Sequence, residues 1–159
     1  MKYVAFIRGV GPENPNMHQD KLKKFFESLG FTNVKVLLSS GNVTFESSKE
    51  NGKSLENQIE ENLPKMLGFK KATIVRSYDE LKRVFNSDPF HGTQDTPTSR
   101  LNVTFLKNGK EVFSSIDTVN IGTVKIMATL EKQHGKEITT RTWKTVGKVL
   151  KKMEENEKE

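Results

Sequence analysis

Cysteine is absent from the 159 residues, which excludes disulfides, thiolate metal sites and cysteine nucleophiles. Histidine is scarce, with three scattered copies, so no His-rich metal centre is expected. Tryptophan occurs once, at Trp143. No apolar run approaches the roughly 18 residues that a membrane span requires. The start of the chain lacks a basic segment followed by an apolar stretch and a small-residue cleavage site. A cytoplasmic protein with no membrane partner is therefore expected, and no motif calls for a cofactor.

What is present is charge and a modest apolar content. Hydrophobic residues make up 33% of the chain, enough for one ordinary core. Twenty-six Lys and Arg stand against twenty Asp and Glu, a net charge of +6. Residues 1–77 carry twelve basic and eight acidic side chains, and residues 78–150 carry eleven and eight. The excess is even along the chain rather than gathered in a basic tail. Such a field can attract anionic ligands or nucleic acid, and it also keeps a protein soluble.

Hydrophobic periodicity sketches the elements. Tyr3, Val4, Phe6 and Ile7 form a nearly continuous apolar run, which predicts a strand buried on both faces. Leu22, Phe25, Phe26 and Leu29 fall on one helical face, and Gly30 ends that helix. Val34, Val36 and Leu38 alternate as a strand, and Ser39-Ser40-Gly41-Asn42 turns the chain into a return strand at Val43–Phe45. Ser54 is the expected cap of a helix with inner face Leu55, Ile59, Leu63 and Leu67, which Pro64 should kink or stop. Ala72–Val75 reads as the next strand. The order β-α-β-β-α-β over residues 1–77 is that of a ferredoxin-like split βαβ unit, whose second sheet face must meet water, the rest of the chain or a partner.

Residues 78–153 read as a second α+β half packed on the first, so the fold class is α+β. A short helix spans Tyr78–Phe85. Residues 86–99, rich in Asp, Pro, Gly and Thr, form the best candidate for a linker or mobile loop. Leu101, Val103 and Phe105 alternate as a strand, and Asn108-Gly109 signals a turn. Thr118–Ile121 and Val124–Leu130 read as a hairpin around Gly122. Trp143, Val146, Val149, Leu150 and Met153 form the inner face of a last helix. Residues 154–159 should fray.

Three motifs, in order, carry a family resemblance. They are Lys-Tyr-Val-Ala-Phe-Ile-Arg-Gly at 2–9, Ser-Ser-Gly-Asn-Val-Thr-Phe at 39–45 and Thr-Thr-Arg-Thr-Trp-Lys-Thr-Val at 139–146. Together they resemble the bacterial domain-of-unknown-function family 1697. The resemblance implies two small α+β halves packed together, the first ferredoxin-like, and assigns no activity. It marks Arg8, Gly9, Ser40, Gly41, Asn42, Thr140, Arg141, Trp143 and Thr145 as positions of interest. The loop Val10–Asn16 departs from the family pattern, because an acid stands there and the usual basic residue does not.

Nucleotide motifs are incomplete. Gly52-Lys53-Ser54 has Ser47 where a P-loop needs glycine. Gly9-Val10-Gly11 has Asn14 where a dinucleotide fingerprint needs its third glycine. Tyr3 and Phe6 have opposite parity, so only one can share a sheet face with Phe45, against an RNA-recognition platform. Asp88, His91 and Asp95 lie together, but turn chemistry accounts for both acids.

The remaining candidate is an anion site. Arg8 ends the first strand, Ser40 and Asn42 flank the Gly41 turn, and Thr140 or Thr142 caps the last helix with Arg141 at its start. A guanidinium, hydroxyls and free helix N–H groups suit a phosphate or carboxylate. Lys144 and Lys148 follow at i, i+4 spacing and add positive field. The ligand-binding set is therefore Arg8, Gly9, Ser40, Asn42, Thr140, Arg141, Lys144 and Lys148. The leading expectation is a non-enzymatic binding protein for a nucleotide or nucleic acid. Two alternatives stand beside it: an enzyme on a small phosphorylated or carboxylated substrate, with His91 as its best general base, and an interaction module using the open sheet face.

Overall fold

The apolar run near the start becomes the first strand, β1 (Lys2–Ile7), and every side chain from Tyr3 to Ile7 is buried. This is a computed structural model, describing residues 1–8, 18–37, 41–49, 51–68, 70–117 and 122–155, with backbone alone at 117 and 122–127. After β1 come α1 (Gln19–Ser28), β2 (Thr32–Leu37), β3 (Asn42–Glu46), α2 (Gly52–Leu67) and β4 (Thr73–Ser77). The β-α-β-β-α-β order is the one the sequence predicts. The strands lie in the order β2-β3-β1-β4, each neighbour antiparallel.

Parity then sorts β1 into two cores. Tyr3, Ala5 and Ile7 pack with Leu22, Phe25 and Phe26 of α1 and with Leu55, Ile59 and Leu63 of α2. Tyr3 faces Phe45 across the β1–β3 pair, with ring centroids 5.7 Å apart. Val4 and Phe6 point the other way.

That second face is covered by residues 78 onward: α3 (Tyr78–Asn86), β5 (Ser99–Leu106), β6 (Glu111–Asp117), α4 (Gly122–His134), β7 (Ile138–Thr142) and α5 (Trp143–Met153). A second antiparallel sheet has the order β6-β5-β7. Val4, Phe6 and Ile74 pack with Leu81, Val103, Phe105, Val146 and Val149. Phe6 stacks on Phe105 at 4.6 Å. Gly147 admits the close approach of α5 to α3, since a Cβ there would stand 3.4 Å from the Phe85 ring. The fold is α+β, with five helices and two antiparallel sheets among the described residues. The open sheet face required by the interaction-module reading is therefore buried.

Several local expectations are corrected. Asn51, not Ser54, caps α2: its side chain accepts from the N–H groups of Lys53 (2.9 Å) and Ser54 (3.3 Å). α2 also runs through Pro64 to Leu67 and ends at Gly68, where φ is +77°. Pro64 lies in the last turn, where one lost hydrogen bond is offset by the buried stripe Leu55, Ile59 and Leu63. The hairpin expected around Gly122 is helix α4 instead; residues 118–121 lie outside the described set. The β-branched Thr123, Val124 and Ile126 imitate a strand, but Leu130 buries against Leu106 and Ile138, and Gly135 at φ +86° supplies the stop.

Residues 86–99 are tied rather than loose. Asp88 Oδ1 accepts from Gly92 N (2.9 Å), and Asp95 Oδ1 accepts from Leu101 N (2.8 Å). Phe90 packs edge-on against Trp143 at 5.1 Å. Beyond α5, Glu154 meets Tyr78 (2.5 Å) and Lys82 (3.3 Å), and Glu155 meets Lys152 (3.2 Å) and Lys35 (3.6 Å). Residues 156–159 lie outside the described set. Among the described residues no helix is long and apolar enough to cross a membrane.

Candidate anion-binding site

Arg141 is not at a helix start. It sits in β7, opposite Val103 of β5, and Thr142 is the residue that caps α5, accepting from Thr145 N at 3.2 Å. The run Ile138-Thr139-Thr140 is β-branched, which favours a strand up to the cap. From β7 the Arg141 guanidinium reaches into the seam between the two sheets. Nε donates to Asn42 Oδ1 (2.6 Å), Nη1 to Thr139 Oγ1 (2.8 Å) and Thr140 O (2.9 Å), and Nη2 to Ile7 O (2.9 Å). The cation also lies 5.5 Å from the Phe6 ring centre. Loss of solvent around the charge lowers its pKa from the ordinary arginine value to about 10, so it stays protonated at neutral pH.

The other predicted residues are distributed around this corner. Arg8 and Arg141 meet through the Ile7–Arg8 peptide, whose carbonyl takes the Arg141 hydrogen bond. The Arg8 guanidinium turns elsewhere, pairing with Glu131 of α4 and donating to Lys136 O. Asn42 is fully buried beneath Arg141. Thr140 Oγ1 is bonded to Thr104 Oγ1 at 2.7 Å. Gly9 and Ser40 lie outside the described residues. The arginine corner thus joins β1, β3 and β7, with its donors directed at internal acceptors.

The lysines of α5 stand apart from it. Lys144 and Lys148 are exposed, and neither has an ion-pair partner among the described residues. Lys144 borders a cleft of about 290 Å³ whose other walls are Trp143, Leu101 and the 92–95 turn. Trp143 is held by an aromatic cluster: it stacks on Phe85 at 5.0 Å and meets Phe90 and Phe113 edge-on. Among the described residues no cluster of three or more His, Cys, Asp and Glu could hold a metal ion.

A second charged cluster has little signature in the sequence. Glu56 of α2 is 3% exposed and accepts from Val75 N at 2.8 Å. Arg76 of β4, also 3% exposed, donates to Leu106 O (2.9 Å) and lies 3.9 Å from Glu56 and 3.8 Å from Glu111. Lys107, in the β5–β6 turn, reaches Glu60 (2.8 Å), Thr73 O (2.8 Å) and Glu56 (3.5 Å). An Arg directly after Ile74-Val75 and a Glu beside Leu55 are the only signals in the sequence. These groups rivet the β5–β6 turn to α2 and β4.

Burial pushes the Glu111 carboxyl above its ordinary 4.5; Arg76 opposes that shift and Glu80 adds to it. A carboxyl raised in the fold carries a penalty while ionised, and the penalty disappears as pH falls through its folded value. Glu111→Gln should therefore leave stability at neutral pH equal to or above wild type and flatten the gain on mild acidification. Melting temperatures across a pH series test this. A clear loss at neutral pH would mean that the Arg76 attraction outweighs the burial penalty.

Residues 1–129 match the family described as "Protein of unknown function (DUF1697)". The chain belongs to this family. The DUF1697 match stops within α4, so Arg141, Trp143 and the α5 lysines lie beyond the matched residues. In structure this DUF1697 chain is similar to the conserved bacterial protein SP0830 from Streptococcus pneumoniae. The two share 16% identity over 96% of this chain and 98% of that one, with a TM-score of 0.67. At that identity the likeness is one of fold. Among curated proteins none matches.

Proposed function

We propose that this DUF1697 protein is a non-enzymatic binding protein for an anionic ligand, which is held by Lys144 and Lys148. The observation that carries the reading is the cleft beside Trp143, bordered by a lysine without an internal acid partner among the described residues. Arg8, Asn42, Thr140 and Arg141 then act as supports: they hold β1, β3, β7 and α4 in place, and β7 runs directly into α5. An exposed ammonium beside a partly apolar wall favours a ligand with an anionic end and an apolar body.

Trp143 is the only tryptophan and lines this cleft, so its fluorescence is a direct probe of binding there. It should change saturably on titration with inorganic phosphate, mononucleotides or short RNA and DNA strands, and the change should weaken with salt. Lys144→Ala should loosen binding about tenfold, the scale of one charge-assisted contact. A response that is unchanged in Lys144→Ala, or no response to any of these anions, would overturn the reading.

A further inference from the structure

The same cleft holds a carboxylate as well as a lysine, and that combination narrows the ligand. We infer that it takes a single mononucleotide whose base presents N–H donors, guanine above the others. This rests on the anion-binding reading and goes further by naming the ligand class.

Three features support it. The volume, about 290 Å³, is at the lower end of small-molecule sites, which favours one compact ligand over a strand. The half-buried Trp143 indole is the apolar wall a planar ring would meet, and Leu101 in the same lining is itself buried. Phe85, Phe90 and Phe113 already fix the indole, so little ordering is needed on binding.

The polar groups decide the rest. Asp95 Oδ1 is anchored by Leu101 N, which orients the carboxylate, and Oδ2 has no partner among the described residues. An ionised carboxylate only accepts hydrogen bonds. It repels phosphate, so a bare polyanion or a nucleic-acid backbone is disfavoured along this wall. A ligand that satisfies both walls has an anion for Lys144 and N–H donors for Asp95. Guanine carries two adjacent donors, N1–H and the 2-amino group, on one edge. Hypoxanthine lacks the amino group, and uracil has one N–H between two carbonyls.

The test is a titration of Trp143 fluorescence with GMP, IMP and UMP at fixed low salt. GMP should bind about tenfold more tightly than IMP, the usual scale of one hydrogen bond to a charged group. In Asp95→Asn, whose amide oxygen can still accept from Leu101 N, the GMP preference over IMP should vanish while all three still bind through Lys144. Equal affinity of the wild type for the three nucleotides would overturn this inference and leave the anion reading standing. If neither the nucleotides nor inorganic phosphate binds, both readings fall; if phosphate binds and the nucleotides do not, this inference alone falls. The wild-type comparison decides the matter even if the variant fails to fold.

Discussion

Arg76→Met is expected to lower stability by about 3–5 kcal/mol, the usual loss when one partner of a buried charge pair is removed. The methionine would fill much of the volume without supplying donors. The carbonyls of Val75, Leu106 and Lys110 would each lose a partner, and Glu56 and Glu111 would lose their nearest guanidinium. The cation also lies 5.5 Å from the Phe105 ring, a contact methionine cannot replace. Lys107 would still reach Glu56, so the cluster would be weakened rather than abolished. For a chain of this length the melting temperature should fall by roughly 10 °C, at about 2–4 °C per kcal/mol. A fall below roughly 2 °C would mean that the charges draw their solvation from elsewhere.

Phe6→Ala should lower stability by a similar amount, about 3–5 kcal/mol, through a different mechanism. Phe6 is fully buried between the sheets, stacked within 10° of parallel on Phe105. Truncation leaves a cavity bounded by two sheets, neither of which can close it without breaking its own ladder. It also strips the ring from beneath Arg141, whose bond to Ile7 O lies on the same strand. Phe6→Leu should lose less, because most of the volume remains. Denaturant unfolding at constant m-value gives the comparison. A cost of under about 1 kcal/mol for Phe6→Ala would show that the sheets can collapse onto each other.

Elements governed by local pattern were legible in the sequence. The two-sided burial of β1, the inner faces of α1, α2 and α5, the pairing of β2 with β3 and the turn at Gly109 all follow from periodicity and glycine. What was illegible depends on partners far along the chain. β7 is too short and too polar to stand out until β5 lies beside it, and the β-branched residues at the start of α4 read as a hairpin. The same applied to the candidate site. Arg141 and Asn42 belong to one expected site, and they do meet, at 2.6 Å. Their spacing could not say that the contact is internal, nor that Arg8 would turn to Glu131. Lys144 and Lys148 are visible as a stripe, but the cleft beside Lys144 is formed with the distant 92–95 turn, next to which Phe90 packs on Trp143.

The position of β1 has a consequence for biosynthesis. Its first face needs only residues up to about 77, but Val4 and Phe6 are covered by side chains between Leu81 and Met153. Lys2 Nζ bonds Met153 O across 151 positions. While the chain is still being made, β1 waits with one apolar face bare until the elements from α3 to α5 emerge. A chain stalled after β4 would present that face to its neighbours, which makes early termination an aggregation hazard, as is usual for long-range topologies.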